Sequence, residues 1–175
     1  LRFLTLVLLL LLLLLSAGCK RRHHPNPSAT IEEESELAIA VSVADPRDAS
    51  QLLSGFHALE QNTWRWTMKR FAVSLATPAN ASTRGAKLEL KFVLPEAIAA
   101  QMLGVTITPT IGGAKAGSCR VDKPGEQSCV FQVAPDLLKA DAVIVQFDLD
   151  KAIAPNAGDS RELGIIAFRI GLSPQ

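Results

Sequence analysis

Apolar residues recur at every second position in five separate runs of the chain, and that period admits strands while leaving no long amphipathic helix. Ile39, Val41 and Val43 alternate with Ala40 and Ser42. Leu88, Leu90, Phe92 and Leu94 alternate with Lys87, Glu89 and Lys91, which describes a strand with one buried and one wet face. Val105, Ile107 and Pro109 alternate with Thr106 and Thr108, and Val143, Val145, Phe147 and Leu149 oppose Ile144, Gln146 and Asp148. A last run covers residues 163–172, with Ile166, Phe168 and Ile170 expected on one face and Arg169 on the other. Turn-forming groups separate the runs: Thr77-Pro78-Ala79-Asn80, Gly112-Gly113, Lys123-Pro124-Gly125 and Pro155-Asn156-Ala157-Gly158. About eight short strands divided in this way predict an all-β fold, an antiparallel β-sandwich of jelly-roll type. Short helices are expected only at residues 48–54 and 135–140, while 95–103 reads as a loop or single turn.

The first 18 residues depart from this pattern. They hold 11 Leu, eight of them consecutive at residues 8–15, behind a single Arg2. Residues 3–17 are too short for the roughly 20 needed to cross a bilayer as a helix, and the small residues Ser16-Ala17-Gly18 suit a cleavage site. With Cys19 directly after them, the segment resembles a bacterial lipoprotein signal, in which small residues precede a Cys that becomes the diacylated first residue. Ser16 stands where that family usually has Leu. The resemblance implies lipidation at Cys19, a membrane partner through the lipid, and a place in the bacterial envelope. Lys20 rather than Asp after the Cys favours the outer membrane, on its periplasmic or surface side. Each buried acyl methylene contributes roughly 0.8 kcal/mol, so two or three chains form a firm anchor.

Residues 20–36 change composition again, with a basic start (Lys20-Arg21-Arg22-His23-His24), Pro25 and Pro27, and an acidic end (Glu32, Glu33, Glu34, Glu36). Such a segment reads as a charged flexible linker. Its two adjacent histidines lack a third ligand and read as solvated, so no metal site is expected. Three parts result: a signal over 1–18, the lipidated Cys19 and linker over 19–36, and a β-sandwich over 37–175. Only Arg2 among the charged residues falls in the signal, so 17 basic and 17 acidic side chains follow it. That balance provides no basic field to release counterions, which argues against a nucleic-acid partner.

With Cys19 assigned to lipid, Cys119 and Cys129 are the one possible disulfide, and the intervening Pro124-Gly125 turn is expected to fold two strands back to bring them together. Closing so short a loop contributes roughly 2–3 kcal/mol in the chain-entropy model.

The densest polar and aromatic segment is Gly55-Phe56-His57-Ala58-Leu59-Glu60, followed by Trp64-Arg65-Trp66. It resembles a pattern in small β-sandwich modules attached to bacterial glycosyltransferases and other cell-surface polysaccharide proteins, with a fainter echo at Asp159-Ser160-Arg161-Glu162-Leu163-Gly164. The resemblance implies an accessory β-sandwich and brings no catalytic residues. Two roles fit. In one, Trp64 and Trp66 stack on a sugar while His57, Glu60 and Arg65 orient its hydroxyls. In the other, the tryptophans pack the core or its rim and Glu60 pairs with Arg65 to hold strands in register.

Enzyme motifs are missing: no Gly-x-Ser-x-Gly elbow, no His-Glu-x-x-His and no phosphate-binding glycine loop occur. The chain is therefore expected to be no enzyme, to need no cofactor, and to serve in recognition of a glycan or of an envelope protein.

Overall fold

The computed structural model describes residues 37–175, so the signal, Cys19 and the linker lie outside the described residues. Ten strands occur among these residues: β1 (Ala40–Ser42), β2 (Leu52–Phe56), β3 (Arg65–Ala76), β4 (Ala86–Leu94), β5 (Val105–Ile111), β6 (Ala114–Lys115), β7 (Cys119–Val121), β8 (Gly125–Val133), β9 (Ala142–Leu149) and β10 (Ile166–Pro174). Two short α-helices, α1 (Ala81–Arg84) and α2 (Glu96–Met102), and two 3-10 turns, Pro46–Gln51 and Pro135–Leu137, fill connections. No helix among the described residues is long and apolar enough to cross a membrane.

All strand pairs are antiparallel, and they form two layers. One runs β1-β10-β4-β8 and the other β3-β9-β5-β7. Eight strands in this order make a jelly roll, as the alternation predicted. β2 is added to the edge of β3, and β6 folds back on β5, which brings the total to ten. β3 joins the layers. Its first residues pair with β10 (Arg65 with Ala167, Trp66 with Ile166), and its later ones pair with β9, from Arg70 opposite Asp148 to Ala76 opposite Ala142.

The core lies between the layers, and the period of two decides which side chains enter it. Leu88, Leu90, Phe92 and Leu94 of β4 are fully buried, as are Val145, Phe147 and Leu149 of β9 and Val105 and Ile107 of β5. Each such side chain contributes roughly 1.5–3 kcal/mol when withdrawn from water. Phe71 of β3 stacks on Phe147 with ring centres 4.8 Å apart, and Phe56 meets Phe71 edge-on at 5.4 Å.

Several local expectations are corrected. Val41 and Val43 are buried, but Ile39 is 45% exposed because it precedes the three-residue β1. In β10 the register shifts between Ala167 and Arg169, so Ala167, Ile170 and Leu172 face inward while Ile166 and Phe168 stay half-buried. A bulge adds one residue to one strand and resets the alternation. Residues 95–103 form a helix rather than a loop: α2 follows Pro95, and its Ala-rich sequence favours helix while Met102 anchors it in the core. The expected helix at 48–54 is a 3-10 turn that stops at Gln51, because Leu52–Phe56 is drawn into pairing with β3. That at 135–140 is a single turn, Pro135–Leu137.

Cys119 and Cys129 form the expected disulfide, with Cα atoms 6.0 Å apart. Their strands do not form the expected hairpin. β7 pairs with β5 and β8 with β4, so the bridge ties one layer to the other.

Candidate functional site

β2 ends at Phe56, and the chain reverses through Gln61 and Asn62, whose φ angles of 49° and 55° place both in the left-handed region. Glu60 and Trp64 face each other across this reversal, with the Glu60 N–H donating to the Trp64 carbonyl at 2.9 Å. β3 then starts at Arg65, which sends Arg65 to the opposite side from Trp64 and Trp66. All five candidate residues, His57, Glu60, Trp64, Arg65 and Trp66, are half-buried.

Their polar groups turn toward the protein's own chain. Arg65 Nε donates to the Val43 carbonyl at 2.9 Å and its Nη1 to the His57 carbonyl at 3.0 Å. This guanidinium sits where the end of β1 and the start of β3 lie along the same edge of β10. Glu60 therefore does not pair with Arg65, as one reading of the sequence supposed. Its partner is Arg161, whose Nη1 lies 2.6 Å from Glu60 Oε1. His57 Nε2 lies 2.7 Å from the Glu162 carbonyl, and since a carbonyl only accepts, Nε2 carries the proton. The Trp64 Nε1 atom is shut away from solvent with no acceptor among the described residues.

The segment echoed in sequence, residues 159–164, is thus the physical counterpart of 55–66. Arg161 also grips Asp159, with Nη2 to Oδ2 at 2.8 Å and Nε to Oδ1 at 3.0 Å. The Arg161 side chain, followed by its backbone N–H, lowers the Asp159 carboxyl from 3.8 to about 2. Asp159 first and Glu60 second raise the Arg161 pKa in turn. Glu162 Oε1 accepts from the Lys69 N–H at 2.7 Å. Buried Thr67 is held by the same segment: its N–H donates to the Ile165 carbonyl at 2.8 Å, and its Oγ1 accepts from the Ile165 N–H at 3.1 Å.

Two glycines permit this packing. A Cβ at Gly55, where φ is +74°, would stand 2.0 Å from the Arg70 carbonyl oxygen and 2.6 Å from Phe71 Cα. One at Gly164 would stand 2.6 Å from Thr67 Oγ1 and 2.8 Å from the Met68 oxygen. Both elements approach β3 closely where it passes from one layer to the other. The sequence did not reveal the roles of Arg161, Glu162 and Thr67. The only sign of the first two was the echo itself, and a buried Thr on a strand carries no signal.

Among the described residues no three His, Cys, Asp or Glu side chains gather as metal ligands. A groove of about 530 Å³ opens away from the cluster, lined by Leu37, residues 76–80 and 138–142, and Ser82. Its polar groups are partly engaged: Thr77 Oγ1 donates to the Ala140 carbonyl at 2.6 Å and Lys139 Nζ to the Ser82 carbonyl at 2.9 Å.

Fold and cluster together define a jelly-roll domain whose densest polar segment closes one corner of the roll. No family model matches the chain, and no curated protein matches it. Solved structures similar to it include an exo-β-1,3-galactanase from Phanerochaete chrysosporium, at 10% identity and a TM-score of 0.40 over 79% of this chain and 29% of the other. An acetyl xylan esterase from Butyrivibrio proteoclasticus has 10% identity and a TM-score of 0.40 over 80% and 34%. The CBM51-2 and INT domains of ZmpB from Clostridium perfringens have 12% identity and a TM-score of 0.33 over 77% and 28%. The chain spans about a third of each of these proteins or less, and no function is carried over from likenesses so distant.

Proposed function

We propose that the chain is a lipid-anchored, non-catalytic protein of the bacterial envelope, held at the outer membrane through Cys19, whose jelly-roll domain serves protein interaction rather than sugar binding at Trp64 and Trp66. One observation carries the choice between the two roles. His57, Glu60 and Arg65, the groups that would orient a sugar's hydroxyls, spend their hydrogen bonds on Glu162, Arg161, Val43 and the His57 carbonyl. A sugar would have to compete with those contacts, and exchanging one hydrogen bond for another at half-buried groups brings little net gain. The cluster is a buckle between two chain segments, and recognition falls to the sheet surfaces.

The anchor is tested by Cys19→Ala in cells, followed by separation of membranes from soluble protein. Release from the membrane fraction is expected, and unchanged retention overturns lipidation at Cys19. The interaction role is tested by chemical crosslinking in intact envelopes. A reproducible protein adduct that disappears when the domain is unfolded supports it, and absence of any adduct from folded, anchored protein overturns it.

A further inference from the structure

The jelly roll has several sheet edges, and they are treated differently. At one end of the first layer β1 covers β10 with only three residues, and at one end of the second β2 has five residues and two register shifts. At the other end of that layer β6 and β7 have two and three residues. Short and irregular edges of this kind resist pairing with another chain. β8 is the exception. It has nine residues, contains no proline, and pairs with β4 without a break from Val133 opposite Ala86 to Gly125 opposite Leu94. Among the described residues no strand pairs with its outer edge.

The hydrogen-bond pattern identifies the free groups. The Leu172 N–H donates to the Ile39 carbonyl, and the Phe168 carbonyl accepts from Val43, so these residues of β10 turn toward the β1 side. Alternation then turns Gly171 and Arg169 toward β4, and Leu88 and Leu90 of β4 toward Phe131 and Cys129 of β8. The N–H and C=O groups of Ser128, Val130 and Gln132 are left pointing outward. The Val130 side chain is 54% exposed. A groove of about 390 Å³ between residues 115–118 and 130–132 runs beside this stretch.

We infer that β8 pairs with β8 of a second copy of this chain, antiparallel about a twofold axis at Val130. In that register Val130 meets the partner's Val130, Ser128 meets the partner's Gln132, and Glu126 meets the partner's Ala134, so no like charges are opposed. Parallel pairing in register would set Glu126 against the partner's Glu126. The antiparallel arrangement supplies about six backbone hydrogen bonds and covers the exposed valines. It makes one continuous sheet from the first layers of both copies. The inference goes beyond the proposed function and does not depend on the anchor.

Sedimentation velocity of the full chain in detergent tests it. The wild type is expected at twice the monomer mass. Val130→Pro removes an N–H that points away from β4 and is tolerated on an edge strand, so it should give a folded monomer. Val130→Lys should do the same by charge repulsion and decides the matter if the proline variant fails to fold. Leu53→Ser, on the edge strand β2, should leave the dimer intact. A monomeric wild type overturns the inference, as does a dimer that persists in the folded Val130 variants.

Discussion

The Glu60 carboxylate and the Arg161 guanidinium, 101 residues apart in sequence, meet at 2.6 Å and join the reversal before β3 to the segment before β10. Both side chains are about one-third exposed, so water screens the pair. A double-mutant cycle with Glu60→Gln and Arg161→Ala, read by urea denaturation, should give a coupling of no more than about 1 kcal/mol. A coupling of several kcal/mol would show that the buckle is far less hydrated than its exposure implies.

Arg161 also sets the acid behaviour of Asp159. A carboxyl lowered from 3.8 to about 2 in the folded protein adds stability above the unfolded value and loses it as pH falls through the folded value. The Asp159 contribution should therefore be complete above about pH 4 and fade between about pH 4 and 2. Carboxyl carbon NMR titration reads this directly. In Arg161→Ala the Asp159 midpoint should rise toward 3.8, and an unmoved midpoint would remove Arg161 as the cause.

Gly55→Ala should be among the most damaging single substitutions in the domain. The added methyl would meet backbone atoms of Arg70 and Phe71 in a residue that already has φ +74°. A loss exceeding about 3 kcal/mol in urea denaturation, or failure to fold, is expected. Gly112→Ala provides the contrast, because its φ is +58° and nothing lies within 4 Å of the new methyl, so only a conformational cost of about 1 kcal/mol remains. Equal losses at the two sites would contradict the close packing of Gly55 on β3.

Removing the layer-to-layer crosslink with Cys119→Ser and Cys129→Ser should lower stability by roughly 2–3 kcal/mol, as expected for closing a loop of this length. Circular dichroism of the β-sheet should stay the same, since both strands keep their own sheet partners. Loss of the sheet signal in the double variant would mean that the bridge organises the layers instead of clamping them.

Tryptophan emission should not respond to cell-wall or capsular sugars, since His57, Glu60 and Arg65 are engaged within the protein. A saturable spectral shift that is lost in Trp66→Phe would restore the sugar-binding role.

The sequence alone determined the all-β class, the inward faces of β4, β5 and β9, and the pairing of Cys119 with Cys129. Alternation is a local property: the backbone of a strand sends successive side chains to opposite faces whatever lies beyond. Once Cys19 is read as lipidated, only two cysteines remain, and each has one possible partner. The same period misplaced Ile166 and Phe168, because a bulge depends on how the facing strand β4 meets the chain. It also left Glu60 beside Arg65, its neighbour in sequence, when its partner was Arg161. Only the tertiary structure decided which layer each cysteine joins, which guanidinium meets Glu60, and which edge strand stays open. Each of those depends on which distant segments are brought together across the roll, where burial and hydrogen-bond satisfaction select one partner among many of the same charge.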